Sequence, residues 1–135
     1  MTQYKKLTSL RPYFWRATMT EFVKISESGI ISFVGVPDGM EAHEIGAEYV
    51  EFYSRPIGRK RYGILCDEVG RLKNRPITAV WGDGTPAFYG DLLIGSLTSV
   101  GEFGALRAGD LFTITHRIVT AEFGGKKRTV LRVGE

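Results

Sequence analysis

Cysteine and histidine are nearly missing from this chain, which has one Cys and two His among 135 residues. The single thiol, Cys66, excludes an intrachain disulfide and any cysteine-based metal cluster. It lies in the apolar run YGILCDE and reads as a small buried side chain. His43 and His116 stand far apart in sequence, and nothing ties either to Cys66 as the base of a nucleophilic pair. His43, beside Glu41 and Glu44, reads as a surface histidine without a second ligand pair. No apolar run approaches a membrane span, and the opening MTQYKKLTSLRPYFWRA lacks the apolar stretch of a secretory leader. These absences predict a soluble, cytoplasmic protein with no membrane partner. There is no G-x-S-x-G, Walker A, H-E-x-x-H or Rossmann pattern. The nearest motif, the GDG at Gly82–Gly84, has no helix after it. No nucleophile–base or metal set can be assembled, so an enzyme ranks last, and no cofactor or metal is expected.

Charge of one sign is also scarce. Eighteen Lys plus Arg against fifteen Asp plus Glu leave a net charge of +3. A binder of long duplex DNA shows a broader excess of positive charge. The charges present are segregated. Six acids and no Lys or Arg lie from Glu27 to Glu51, whereas Arg55, Arg59, Lys60 and Arg61 fall in seven residues without an acid. The segment YVEFYSRPIGRKRYGILCDEVGRL reads as two strands joined by a basic turn, RPIGRKR, with Tyr53 and Tyr62 beside it. Cations crowded on a turn with aromatic neighbours suit a phosphate-bearing ligand. Arg75 belongs to a further basic group with Arg71 and Lys73, and Lys126, Lys127, Arg128 and Arg132 form another. The candidate ligand-binding residues are therefore Tyr53, Arg55, Arg59, Lys60, Arg61, Tyr62 and Arg75.

Length predicts one domain over residues 1–135, with a core of ordinary size. Seventeen glycines and 12% aromatics favour a turn-rich β fold. The predicted class is α+β: a mostly antiparallel or small barrel-like sheet with one or two short helices. Strands are expected over 10–25 and 30–36, forming a hairpin across ISESG. Asp38 is a candidate N-cap for a short helix ended by Gly46. Further strands are expected over 47–54 and 61–66, a short strand or helical turn in ITAVW, and a strand over 87–97 with a Gly-Asp step inside it. The longest is expected over 111–123, with Leu111, Phe112, Ile114, Ile118 and His116 inward. Gly124-Gly125 reads as a hairpin turn leading to a last strand over 126–133. YGDLLIG and AGDLFTI share a Gly-Asp step that reads as turn chemistry rather than as a catalytic carboxylate pair.

IGAEYVEFYSRPIGRKRYGILCDEVGRLKNRPITAV, followed by YGDLLIG and the Leu106–Asp110 turn, resembles a family of small phage- and prophage-encoded proteins that form a domain of unknown function. Gly46, Glu68-Val69-Gly70, Asn74-Arg75 and Gly90-Asp91 follow that family's order, whereas Pro76 departs from its usual apolar residue. The resemblance spans roughly residues 45–110. It implies a viral or mobile-element source, a place in the host cytoplasm and a compact α+β fold, but no chemistry. The resulting expectation is a non-enzymatic, phage-type binding protein. It would sequester a small, phosphate-bearing, nucleotide-like ligand to counter host defence. The alternative is a nucleic-acid-binding regulator that uses the basic turn and the C-terminal hairpin. Exposed-edge candidates in a short β-rich chain also predict a homo-oligomer.

Overall fold

A computed structural model describes residues 19–134. Strand β1 (Met19–Ile25) and strand β2 (Ile31–Pro37) form the expected antiparallel hairpin, closed by the Ser26 amide donating to the Ile30 carbonyl at 2.9 Å. The part of the first predicted strand before Met19 lies outside the described residues. Helix α1 (Glu41–Glu44) is a single turn. Its N-cap is Met40 rather than Asp38, and Gly46, at φ 64°, leads the chain out of it.

Strands β3 (Val50–Ile57) and β4 (Lys60–Asp67) follow. They pair residue for residue, so the turn between them is only Gly58–Arg59. The basic segment is therefore mostly strand, a correction to the seven-residue turn expected from sequence. Pro56 is tolerated because β3 is an outer strand of its sheet.

Strands β5 (Ile77–Val80) and β6 (Pro86–Tyr89) form a second ribbon, and β7 (Leu92–Leu97) returns to the first sheet. The single strand expected over 87–97 is thus two, broken at Gly90-Asp91, where the chain crosses between sheets. Gly90 takes φ 81°, and Asp91 Oδ1 accepts the Glu27 amide at 2.8 Å. The turn reading of this Gly-Asp step agrees with that geometry.

Strand β8 (Phe103–Gly104) pairs with β7, helix α2 (Ala108–Thr115) follows, and the β9 (Ile118–Phe123) and β10 (Lys126–Arg132) hairpin closes the fold over Gly124-Gly125. The long strand expected over 111–123 is corrected: its first half is α2. Asp110 caps that helix, its Oδ2 accepting the Arg107 amide at 2.9 Å. Thr113 and Thr115 turn their hydroxyls back onto the Gly109 and Leu111 carbonyls, which satisfies them within the helix. Helical spacing then buries Asp110 and Ile114 but leaves Phe112 66% exposed and His116 at the surface, contrary to the expected inward face.

The result is α+β and rich in strand. One sheet runs β2-β1-β7-β4-β3 with β8 on β7, and the other runs β6-β5-β10-β9. Neither closes into a barrel. Every pairing between strands is antiparallel except that of β5 with β10. A core of Val23, Ile25, Ile64, Leu92 and Ile94 from the first sheet meets Ala79, Phe88 and Leu131 from the second. Alternate residues Phe22, Leu65 and Leu93 point to the opposite face of the first sheet, with Val36 and Ile45. The two sheets meet where β6 lies against β4, with the Tyr53 ring on β3 5.4 Å from the Phe88 ring on β6, and the candidate site lies there.

Candidate functional site

Glu51, Tyr53 and Arg55 alternate along β3 and so project to one side of it. That side faces Trp81 and β6, and a cleft of about 460 Å³ opens between them. This volume falls in the range of small-molecule sites. Cys66 and Asp67 at the end of β4, with Glu68 and Arg71 beyond it, complete the wall toward Tyr89.

Arg55 is the most unusual group in the cleft. Its Cζ lies 4.7 Å from the Tyr53 ring centre and 5.7 Å from that of Trp81. One nitrogen, Nη1, donates to the Ser54 carbonyl at 3.0 Å. Its Nε is buried and has no hydrogen-bond partner among the described residues. A buried, unmet donor on a cation carries a real free-energy cost. Tyr53 is fixed by its hydroxyl donating to Glu51 Oε1 at 2.8 Å and by its ring 5.4 Å from Phe88. The bond to Glu51, then burial, raises the Tyr53 phenol pKa. Burial, then the nearby Glu51 and Asp67 carboxylates, push the Cys66 thiol up to about 12. At neutral pH Cys66 is therefore a protonated wall residue. Asp67 is held below the usual carboxylate range. Burial pushes it up, but the Lys73 ammonium at 2.9 Å and the Val69 amide outweigh burial.

The sequence-predicted residues do not converge at one place. Tyr53 and Arg55 line the cleft. Arg59 is exposed at the Gly58–Arg59 tip. Arg61 points to the other face of the ribbon and donates to Ser54 Oγ and to the Ser54 carbonyl. Lys60 and Tyr62 both donate to Asp110 Oδ1, at 2.8 and 2.9 Å. Tyr62 is fully buried, so its ring offers no stacking surface. Burial, then the bond to Asp110, raises its pKa to about 12. Arg75 pairs with Glu27 in a separate hollow. In the C-terminal ribbon, Lys126, Lys127 and Arg132 are exposed, whereas Arg128 bonds the Ile77 and Glu27 carbonyls.

No family model, curated protein or solved structure matches this chain.

Among the described residues no group of His, Cys, Asp and Glu is placed to hold a metal, and no helix is long and apolar enough to cross a membrane. His43 is exposed. Asp91 and Asp110 have separate partners, Glu27 and Lys24 for one, Lys60, Tyr62 and Arg107 for the other. Sequence reasoning misses Glu51 and Phe88, and it does not place Trp81 and Tyr89 across a cleft from β3. The spacing of Glu51, Tyr53 and Arg55 was a usable signal for one wall. The opposite wall comes from the other sheet, and no local pattern announces it.

Proposed function

We propose that this chain is a non-enzymatic binding protein for a small nucleotide-like anion, held in the Tyr53–Arg55–Trp81 cleft. The observation that carries the reading is Arg55: a guanidinium with an unmet donor, set between two aromatic rings in a ligand-sized cleft. A phosphate in the cleft meets the part of the guanidinium that faces it, and a charge-assisted contact of this kind contributes roughly 1.5–3 kcal/mol. Trp81 and Tyr89 supply faces on which a base can stack, an interaction that tolerates any base because every base has a π-face. Cys66 is protonated at neutral pH, which favours holding the ligand over attacking it. Sequestration of a nucleotide signal is the role that the phage-protein resemblance adds to this chemistry.

The proposal includes self-association. Phe33 on β2 and Phe52 on β3 are 48% and 42% exposed on the outer strands of the six-stranded sheet. Light scattering that finds only a 15.0 kDa species at micromolar concentration removes that part.

Calorimetric titration with a panel of mononucleotides tests the ligand. The expected result is saturable one-site binding with modest dependence on salt. Duplex DNA that binds with a steep salt slope, while mononucleotides give no heat, replaces this reading with a nucleic-acid-binding one.

A further inference from the structure

Tyr89 separates the cleft from a second hollow of about 400 Å³, and arginine dominates that hollow. Arg71, Asn74, Arg75 and Arg128 line it, and Arg71 and Tyr89 belong to both spaces. The three guanidiniums come from two distant parts of the chain. Arg71 and Arg75 lie on the connection after β4, and Arg128 lies on β10.

A single carboxylate is in direct contact with them. Glu27 forms an ion pair with Arg75, while its backbone carbonyl accepts from Arg128 Nη2. The Arg71 side chain is exposed and makes no hydrogen bond or ion pair among the described residues. Three guanidiniums thus share the hollow. Glu27 is the one carboxylate bonded to them, with Asp67 and Asp91 acting on Arg75 from further off. An anion entering there relieves their mutual repulsion and meets planar donors suited to phosphate oxygens.

The loop that carries two of these arginines is held in an unusual backbone. Asn74 takes φ 56°, the one non-glycine residue with positive φ among those described. The turn around it is closed by the Lys73 amide on the Val69 carbonyl and the Arg75 amide on the Gly70 carbonyl, each at 3.0 Å. Gly70 seats the loop on β6: a Cβ there would stand 2.9 Å from the Tyr89 carbonyl oxygen. The backbone that carries Arg71 and Arg75 is thereby fixed against the residue that divides the two spaces.

We infer, resting on the nucleotide reading of the cleft, that the ligand carries two or more phosphates in a chain. Its nucleoside end lies in the aromatic cleft, and its outer phosphates pass Tyr89 to reach Arg71, Arg75 and Arg128. A mononucleotide fills only the first space.

Titration calorimetry of the full chain with AMP, ADP, ATP and inorganic tripolyphosphate, in chelator-treated buffer at fixed ionic strength, tests this. Affinity is expected to climb at least about tenfold from AMP to ATP. Arg71 is exposed, so Arg71→Ala keeps the fold, and it should lower ATP affinity by a larger factor than AMP affinity. Trp81→Leu should weaken both by a similar factor. Equal affinity for AMP and ATP in the unsubstituted protein overturns the inference and leaves the cleft reading standing. Tripolyphosphate that binds as tightly as ATP, with Trp81→Leu inert, makes the hollow a plain anion site and overturns both. Absence of binding by every nucleotide also removes both.

Discussion

Gly63 on β4 and Gly95 on β7 are directly opposed in the ladder, and the ring of Phe103 fills the space that two side chains would otherwise occupy. A Cβ at Gly63 would stand 2.7 Å from Phe103 and from Phe52. One at Gly95 would stand 2.6 Å from Phe103 and 2.7 Å from the Gly104 carbonyl oxygen. Phe103 is held there by stacking on Phe22 at 4.4 Å and edge contact with Phe52 at 5.1 Å. This seat fixes the outer face of β4. The inner face of β4 carries Cys66, and its partner β3 carries Arg55, toward the cleft.

The two glycines should respond differently to alanine. At Gly95 a backbone oxygen blocks the new methyl, and backbone cannot swing away. At Gly63 the obstacle includes Phe52, which is 42% exposed and free to rotate outward. Urea denaturation should show Gly95→Ala losing about 2–3 kcal/mol and Gly63→Ala about 1–2 kcal/mol, within the range for overpacked cores. Equal losses, or a Gly95→Ala variant as stable as the parent, would count against the seat.

Much of this fold is legible in the chain. The β1–β2 hairpin follows from Ser28-Gly29, the β9–β10 hairpin from Gly124-Gly125, and β5 from the turn residues before it. Helix α2 escaped because Thr113, Thr115 and Ile114 favour strand locally, while the capping contact of Asp110 that settles the matter looks from sequence like one more turn. The basic segment was misjudged for a different reason. RPIGRKR has the composition of a turn, but strand pairing of Arg55 with Tyr62 shortens the turn to two residues and sends its cations to opposite faces. The cleft was half legible. Tyr53 and Arg55 are two residues apart and share one face of a strand, whereas Trp81 and Tyr89 reach them only through the packing of two sheets, which no local pattern encodes.

Acid should unfold the protein partly through Asp110. Burial pushes its carboxyl up, but the Lys60 ammonium, the Arg107 amide and the Tyr62 hydroxyl outweigh burial and hold it below its ordinary value of 3.8. A carboxyl depressed in the folded state stabilises fully above its unfolded value. That contribution fades as pH falls through 3.8 toward the folded value, where both states bind the proton. Stability should therefore drop between about pH 5 and the depressed value. Asp110→Ala also strands the buried Tyr62 hydroxyl and removes the α2 cap, at a cost on the order of 2–4 kcal/mol at neutral pH. Lys60→Ala should cost less, because that side chain is half exposed. Chemical denaturation repeated from pH 3 to 7 checks both parts. An Asp110→Ala variant whose stability falls with acid as steeply as the parent's shows that other carboxyls carry the effect.

Arg55 should separate stability from binding. A structural arginine holds its surroundings together, and its replacement costs several kcal/mol when a buried partner is stranded. Arg55 strands little: Nη1 meets a carbonyl at 3.0 Å, and its Nε meets nothing. Arg55→Met removes the unmet donor, worth about 1–3 kcal/mol. It also forfeits the cation–π contacts with Tyr53 and Trp81, each worth about 0.5–1 kcal/mol. Methionine keeps a polarizable group against both rings. The two effects nearly cancel, so urea denaturation should place the variant within about 1 kcal/mol of the parent. Nucleotide affinity should fall at least about tenfold, because the lost contact is charge-assisted. Arg59→Ala, at the exposed tip of the same ribbon, should change affinity by less than about threefold. Loss of several kcal/mol in Arg55→Met, with affinity unchanged in the fraction that folds, would make Arg55 a scaffold residue and move the search for the site elsewhere.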